Sequence, residues 1–131
     1  MNKSKFQFLN PELEKVEFGV NEEFKQEECD GIAMQSNTEI RGINSNEAYV
    51  ALTLKIGDVS VSQPFNITVK MCAKFFWDES MDAEKVKKML NINAPAVLLS
   101  YIRPIVYNMT GSSKYPALSI PFIDFTQSEN T

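Results

Sequence analysis

The side chains that most often do chemistry in proteins are scarce in this chain. Histidine is absent from the 131 residues, which removes the commonest general base, the commonest metal ligand and the usual partner of a Ser or Cys nucleophile. Cys29 lies in an acidic segment that disfavours a thiolate, and Cys72 lies on an alternating segment predicted to be half-buried. The sequence therefore predicts no catalytic residue and a protein that is not an enzyme.

Metal and cofactor sites are also not predicted. The acidic segment offers carboxylate oxygens to a cation, but it lacks the Asp-x-Asn-x-Asp-Gly spacing of a dedicated calcium loop. Its acidic members are Glu22, Glu23, Glu27, Glu28 and Asp30. We interpret the segment as a solvated loop. The five glycines lie far apart, so no phosphate-binding loop is present and no cofactor is expected.

Composition restricts the partners and the location. A net charge of -4 with 13 Lys and Arg residues gives no basic surface for nucleic acid. No apolar run approaches about 18 residues, so neither a secretory signal nor membrane insertion is expected, and we predict a cytoplasmic protein with free thiols. The length fits a single domain over 1–131, with 1–5 and 126–131 frayed.

Alternation of apolar and polar residues predicts four strands, at 13–20, 32–41, 48–56 and 65–76. The short turns between them favour antiparallel pairing. After residue 80 the period becomes helical, with Val86, Met89 and Leu90 on one face and Ser80 or Asp82 as the N-cap. The predicted class is α+β: a four-stranded antiparallel sheet, a short helix and a longer apolar helix.

The longer helix is predicted to begin with Asn93 as its cap and to end at Gly111. Pro104 in its middle removes one backbone hydrogen bond, so we expect a kink. Arg103 on the same apolar helix either extends to the rim with its stem buried or is paired at an interface.

Aromatic residues at 75–77 place large side chains on both faces of a strand end, so at least one points away from a single-sided core. Helices or another subunit cover it, or it belongs to a groove for apolar segments of other proteins. The apolar residues between 118 and 125 also have two interpretations: they either close the core or line that groove.

The segment Asn-Ala-Pro-Ala-Val-Leu-Leu-Ser-Tyr-Ile-Arg at 93–103 resembles the signature of the SecB family of export chaperones. The resemblance continues through Gly111, Tyr115-Pro116 and Leu-Ser-Ile-Pro-Phe-Ile-Asp-Phe at 118–125. It implies a dimer of dimers that holds unfolded proteins in apolar grooves without ATP. The helix would then pack at the oligomer interface through Val97, Tyr101 and Ile105.

Taken together, the residues and the resemblance predict an ATP-independent holdase whose client is a secretory precursor or a dedicated partner such as an antitoxin. The alternative is a small-molecule or lipid carrier that uses a cavity between sheet and helix. The candidate client-binding residues are Ile32, Met34, Phe76, Trp77, Tyr115, Leu118, Ile120 and Phe122.

Export-specific members of the family also bind a SecA-type motor through acidic residues of the sheet. The second strand here carries only Glu39, which Arg41 offsets, and this argues against motor docking. We also expect the long C-terminal helix of those members to be missing or reduced.

Overall fold

The structure, a computed structural model, describes residues 1–126, so most of the segment predicted to fray at 126–131 lies outside the described residues. Five strands form one antiparallel sheet. Their bounds are β1 Phe6–Phe8, β2 Glu12–Val20, β3 Met34–Arg41, β4 Glu47–Gly57 and β5 Phe65–Trp77.

The sheet has five strands but only four positions. Both β1 and β2 pair with the same strand, β1 with the end of β5 and β2 with its first two thirds. The order across the sheet is therefore β1/β2, β5, β4, β3. The antiparallel prediction is confirmed, and β1 is an addition to it. Pro11 lies between β1 and β2 and has no N–H to donate to a ladder, which fits the break between them.

The helical region runs from α1 at Ala83–Lys88 through a π-helical turn at Met89–Asn93 into α2 at Ala94–Gly111. Asp82 caps α1 by accepting a hydrogen bond from the Lys85 N–H at 3.2 Å. The prediction that Asn93 caps a separate helix is wrong, because Asn93 has helical backbone angles and makes no side-chain cap bond. The π turn keeps the backbone helical there, so no free N–H remains for a cap.

Pro104 lies inside α2, and the helix continues past it to Gly111. Pro104 and Ser100 are both exposed, so water can satisfy the Ser100 carbonyl that the proline leaves without a donor. The 83–111 helix is long and apolar enough to cross a membrane, but its apolar side chains pack in the protein core. We therefore interpret it as a core helix of this domain.

The core lies between α2 and one face of the two central strands. Side chains at every second position of β4 and β5 point to this face, which we call the helix face of the sheet. The fully buried large residues of the core include Val50, Leu52, Leu54, Ile56, Val69, Phe75, Leu98, Ile102 and Val106.

The opposite face of the sheet, the open face, carries mixed charges. Lys70 contacts both Glu14 at 3.4 Å and Glu39 at 3.6 Å, and a further ion pair lies near the end of β5. Cys72 is buried on this face, where burial and its hydrogen bond to Glu14 raise the pKa of the thiol. The same hydrogen bond, followed by Lys70, lowers the pKa of the Glu14 carboxyl. Cys72 is therefore an inert structural thiol.

Gly57 ends β4, where the chain turns into the loop at 58–64 that leads to β5. Its φ is +73°, and a Cβ atom there would overlap the carbonyl oxygen of Phe65. Gly42, in the turn after β3, has a similar φ of +66°, but the nearest atom to an added Cβ is 4.0 Å away in Tyr49. Both glycines thus need a positive φ, but only Gly42 has room for a Cβ atom.

We expect Gly57→Ala to lower the free energy of unfolding by about 3 kcal/mol or more, because backbone strain and steric overlap combine. Gly42→Ala carries only the strain and should cost about 1–2 kcal/mol. Urea denaturation of both variants and the parent chain measures the difference. Equal losses in the two variants would show that the turn at Gly57 can relax.

Candidate functional site

An apolar cavity of about 550 Å³ lies where the ends of β3 and β5 meet α1. We call it the edge cavity, because it opens beside the outermost strand rather than between sheet and helix. Its apolar lining consists of Ile40, Ile43, Trp77, Met81, Ala83, Val86 and Leu90.

The elements of the fold fix this lining. Ile40 is the last residue of β3 on the helix face, opposite Val50. Trp77 ends β5 and is buried, and its indole N–H donates to the Ser45 carbonyl at 3.2 Å. That bond satisfies the polar atom of the ring and holds its orientation. Val86 and Leu90 are four residues apart, so they lie on one side of the helix.

The mouth of the cavity is exposed and charged. Ile43 is 63% exposed, so the apolar lining reaches solvent. Lys87 and Glu79 also line the cavity, and Glu79 accepts a hydrogen bond from the Ser45 hydroxyl at 3.4 Å. Lys87 forms no ion pair within residues 1–126. An apolar floor below charged groups suits a polypeptide ligand that places an apolar side chain in the cavity and leaves its polar backbone at the mouth.

The structure spreads the eight predicted client-binding residues over several places. Trp77 alone lines the edge cavity. Phe76 points to the open face, opposite Glu47. Met34 starts β3, about 20 Å from Ile40 by the rise of a strand, and Ile32 precedes it. The other four residues lie after α2.

Residues 112–125, which we call the C-terminal segment, fold back along α2. The hydroxyl of Thr110 accepts a hydrogen bond from the Leu118 N–H at 2.7 Å and donates to the Val106 carbonyl at 2.8 Å. Arg103 donates to the carbonyl oxygens of Ile120 and Pro121, the latter at 2.9 Å. Arg103 therefore pairs with backbone of its own chain, and it fastens the segment to the helix.

Side chains of the C-terminal segment differ widely in burial. Tyr115 packs edge-on against the rings of Phe24 and Phe65, with centroids 5.5 and 6.3 Å apart. Ile120 is buried in the core, whereas Phe122 is 99% exposed and its ring lies 6.0 Å from the Arg103 guanidinium carbon. The segment thus closes part of the core and presents an exposed aromatic ring.

The two flanks of α2 have different neighbours. Tyr101 meets Phe8 of β1 with ring centroids 6.3 Å apart. Arg103 is two residues further on, about 200° around the helix, so the C-terminal segment lies on the flank away from β1. Val97, Tyr101 and Ile105 recur every four residues and so form one line on the β1 flank.

Sequence reasoning missed most of the edge cavity. Val86 and Leu90 were predicted as a helix face, but Ile40, Ile43 and Met81 were not considered as binding residues. A usable signal existed, because Ile43 and Met81 are isolated apolar residues in otherwise polar turns. Single exposed apolar residues are common on protein surfaces, so this signal becomes specific only where the fold brings such residues together in one cavity.

We expect Arg103→Ala to loosen the C-terminal segment without unfolding the core, because Arg103 contacts its backbone from the outer side of α2. Amide exchange at residues 118–123 should become at least several-fold faster. Lys114→Ala removes an exposed ion pair with Glu22, whose charged atoms lie 4.0 Å apart. This variant should change amide exchange little. Unchanged exchange in Arg103→Ala would show that Thr110 and packing alone hold the segment.

Comparison with known structures supports the fold. The Mycobacterium tuberculosis Rv1957 SecB-like chaperone, in complex with a ChAD peptide from the Rv1956 HigA1 antitoxin, superposes with a TM-score of 0.70. The match covers 92% of this chain and 88% of that one at 16% identity. A Streptococcus agalactiae protein of unknown function gives a TM-score of 0.54 at 12% identity over 92% of this chain and all of its own.

Sequence relatives share more identity over a shorter stretch. The protein-export protein SecB of Anaplasma phagocytophilum is 36% identical over 80 residues, which are 59% of this chain and 51% of the relative. The Anaplasma marginale protein of the same name is 35% identical over 77 residues, 58% and 44% respectively. The matched stretch therefore spans about half the length of these curated relatives.

The family model described as preprotein translocase subunit SecB matches residues 14–128, nearly the whole chain. SecB proteins are chaperones rather than enzymes, so the predictions of a SecB-like α+β fold and of a non-enzymatic protein are confirmed at the level of the family. This chain belongs to the SecB family.

Proposed function

We propose that this protein is a cytoplasmic, ATP-independent holdase that binds extended apolar segments of unfolded polypeptides. The observation that carries the proposal is the edge cavity, an apolar surface that folding leaves open to solvent at Ile43. An open apolar cavity with a few polar groups at its mouth is the usual form of a binding site. Family membership supports the same conclusion.

The cavity is large enough to matter energetically. A Phe, Tyr or Trp side chain buries about 150–250 Å², and each Å² of apolar area is worth about 25 cal/mol. One buried aromatic anchor therefore contributes about 4–6 kcal/mol before the entropy cost of ordering the client is subtracted. A single anchor gives weak, reversible binding, which suits a holdase that must release its client.

The C-terminal segment offers a second apolar surface. Phe122 is free of the core, and the half-buried Leu118 and Tyr115 lie earlier on the same segment. We propose that these residues contact clients, while Ile120 serves mainly to anchor the segment, since it is buried in the chain itself. Ile32 and Met34 remain predicted contacts at the far end of β3.

Two client classes remain open. The sequence relatives are named protein-export proteins, which supports secretory precursors as clients. The structural neighbour binds a peptide from an antitoxin, which supports a dedicated partner. Docking of a SecA-type motor on the open face is disfavoured, because Lys70 and Lys74 lie among the carboxylates of that face. That mixture offers no uniformly acidic surface to a basic partner.

The carrier alternative is less favoured. A carrier needs an enclosed cavity, and the space between the sheet and α2 is filled by fully buried side chains such as Leu52, Leu98 and Ile102. The edge cavity opens to solvent instead.

We expect Ile43→Ser to weaken suppression of insulin aggregation, which dithiothreitol induces and light scattering follows, in the absence of nucleotide. Loss of one apolar contact in the cavity should raise the chaperone concentration needed by about tenfold. Val59→Ser is the matched control, because Val59 is also exposed, at 83%, but lies in the turn before β5. A parent chain that fails to suppress aggregation at several-fold excess would contradict the holdase proposal.

We propose further that the β1 flank of α2 forms the interface of a dimer of dimers, through Val97, Tyr101 and Ile105. Tyr101 is 42% exposed there, and Tyr107 is 51% exposed on the same helix outside that line. Tyr101→Glu should therefore reduce the mass measured by light scattering after size exclusion, because it places a charge in the interface. Tyr107→Glu should leave the mass unchanged, and equal behaviour of the two variants would contradict the interface.

A further inference from the structure

The short helix α1 is held to the rest of the protein far less tightly than α2. Among the residues of α1, Val86 alone is buried, whereas α2 has buried residues along its whole length, from Ala94 to Thr110. A segment with few buried apolar contacts opens locally at a lower free-energy cost than the core does. α1 is therefore the element beside the edge cavity that can move while the core stays packed.

The joint between α1 and α2 is the π turn at Met89–Asn93. The Ala94 N–H donates to the Met89 carbonyl, five residues earlier, so the backbone is locally wider within an otherwise continuous helix. Such turns are frequent at functional sites and at places where helices bend. This turn separates a loosely held helix from a firmly held one.

Pro95 allows the backbone to change register at this joint. It is buried at the start of α2 and has no N–H. It can therefore donate neither to the carbonyl of Asn91, as an α-helix requires, nor to that of Leu90, as a π-helix requires. A shift between the two registers thus breaks no hydrogen bond from residue 95.

A side-chain hydrogen bond bridges the same joint. The Asn91 Nδ2 donates to the Lys87 carbonyl at 2.8 Å, which ties the π turn to the last turn of α1. We call this bond the Asn91 latch. Both residues are exposed, so water competes for the bond. Asn93 is also exposed in the π turn, but it makes no side-chain cap bond.

One wall of the edge cavity moves with α1. The helical residues that line the cavity belong to α1 and the π turn, and they are Ala83, Val86, Lys87, Leu90 and Asn91. Residues 94–111 contribute nothing to the lining. The facing wall includes Ile43 and Trp77, which belong to the sheet side. A swing of α1 about the π turn therefore changes the width of the cavity.

The turn before α1 supplies a second pivot. The Asp78 N–H donates to the Lys5 carbonyl at 3.2 Å, and the Met81 N–H donates to the Asp78 carbonyl at 2.9 Å. These bonds fix the turn to the end of the sheet without involving α1 itself. The helix is thus attached at both ends by turns, and it lies between them with one buried side chain.

We propose that α1 is a hinged lid of the edge cavity, which swings about the π turn and is restrained by the Asn91 latch. The role of the lid rests on the proposed holdase function: it admits apolar side chains of different sizes and closes against them. The swing itself belongs to the free protein. Lid motions of this kind occur on microsecond to millisecond timescales.

Relaxation dispersion of amides in the free protein tests the swing. Exchange should appear across 83–93 and at the Trp77 indole N–H with one shared rate constant, because one body moves. Residues 98–106 should give flat profiles, because they are packed in the core. Flat profiles across α1, or unrelated rates from residue to residue, would overturn the lid.

Fluorescence quenching tests the latch. Trp77 is the only Trp of the chain and is 6% exposed, so quenching by acrylamide reports access to the cavity. Asn91→Ala removes the latch and should raise the quenching constant about threefold.

Asn93→Ala is the matched control for the latch. It makes the same change of helix propensity in the same π turn, and it should leave quenching at the parent value. Equal quenching constants in the two variants would overturn the latch. Thermal denaturation confirms that both variants are folded.

Release of an unfolded client connects the lid to the site. The probe is reduced insulin B chain labelled with fluorescein, and stopped-flow anisotropy follows its release into excess unlabelled chain. Asn91→Ala should release the probe about threefold faster than the parent chain, and Asn93→Ala should release it at the parent rate. Equal release rates in the two variants would overturn the role of the lid at the site.

Failure of this inference is distinguishable from failure of the holdase proposal. If the parent chain binds the B chain and suppresses aggregation while α1 shows no exchange, the site is rigid and the lid is wrong. If α1 swings and responds to Asn91→Ala but the parent chain neither binds the B chain nor suppresses aggregation, the lid stands and the proposed function is wrong.

Discussion

One helix packs on a sheet that is wider than the helix, and the rest of the structure follows from this mismatch. A helix with its side chains is about 10 Å across, whereas strands lie about 4.8 Å apart. α2 can therefore cover about two strands, and it covers β4 and β5. Ser36 on β3 and Leu13 on β2, both on the helix face, remain exposed. The exposed apolar surface of the sheet is thus a consequence of geometry rather than of poor packing.

The C-terminal segment compensates for part of this mismatch. It runs back along α2 on the flank away from β1, fastened by Arg103 and Thr110. Arg103 is an isolated charge on an apolar helix, and its guanidinium supplies several donors to carbonyls that no strand satisfies. The segment buries Ile120 but leaves Phe122 in solvent. None of residues 112–125 lines the edge cavity, which lies beside α1.

The regular elements were predictable because they depend on local periodicity. Alternation identified β2 to β5, and the helical period identified Val86 and Leu90. Local sequence patterns gave a wrong prediction where the backbone conformation depended on the adjoining helical turns. Asn93 has the composition of a cap, yet the π turn keeps the helix continuous through it.

The site was less predictable than the fold, because residues from distant parts of the chain build it. The edge cavity joins Ile43 after β3 to Trp77 at the end of β5 and to Leu90 in the helix. No sequence spacing predicts that these residues come together, because the register of β3, β4 and β5 determines it. Trp77 was predicted because the aromatic residues at 75–77 place large rings on both faces of a strand end. Phe76 shared the same signal, and the alternation of β5 turned it to the opposite face.

Recognition by one apolar anchor would explain how a small site can accept many clients. Apolar burial has no direction, so it demands no particular sequence. One anchor alone gives weak binding, since ordering the client costs free energy. A folded protein has its large apolar residues buried and offers no anchor. A chain that is still unfolded exposes them, so the proposed site in the edge cavity would discriminate by folding state without ATP.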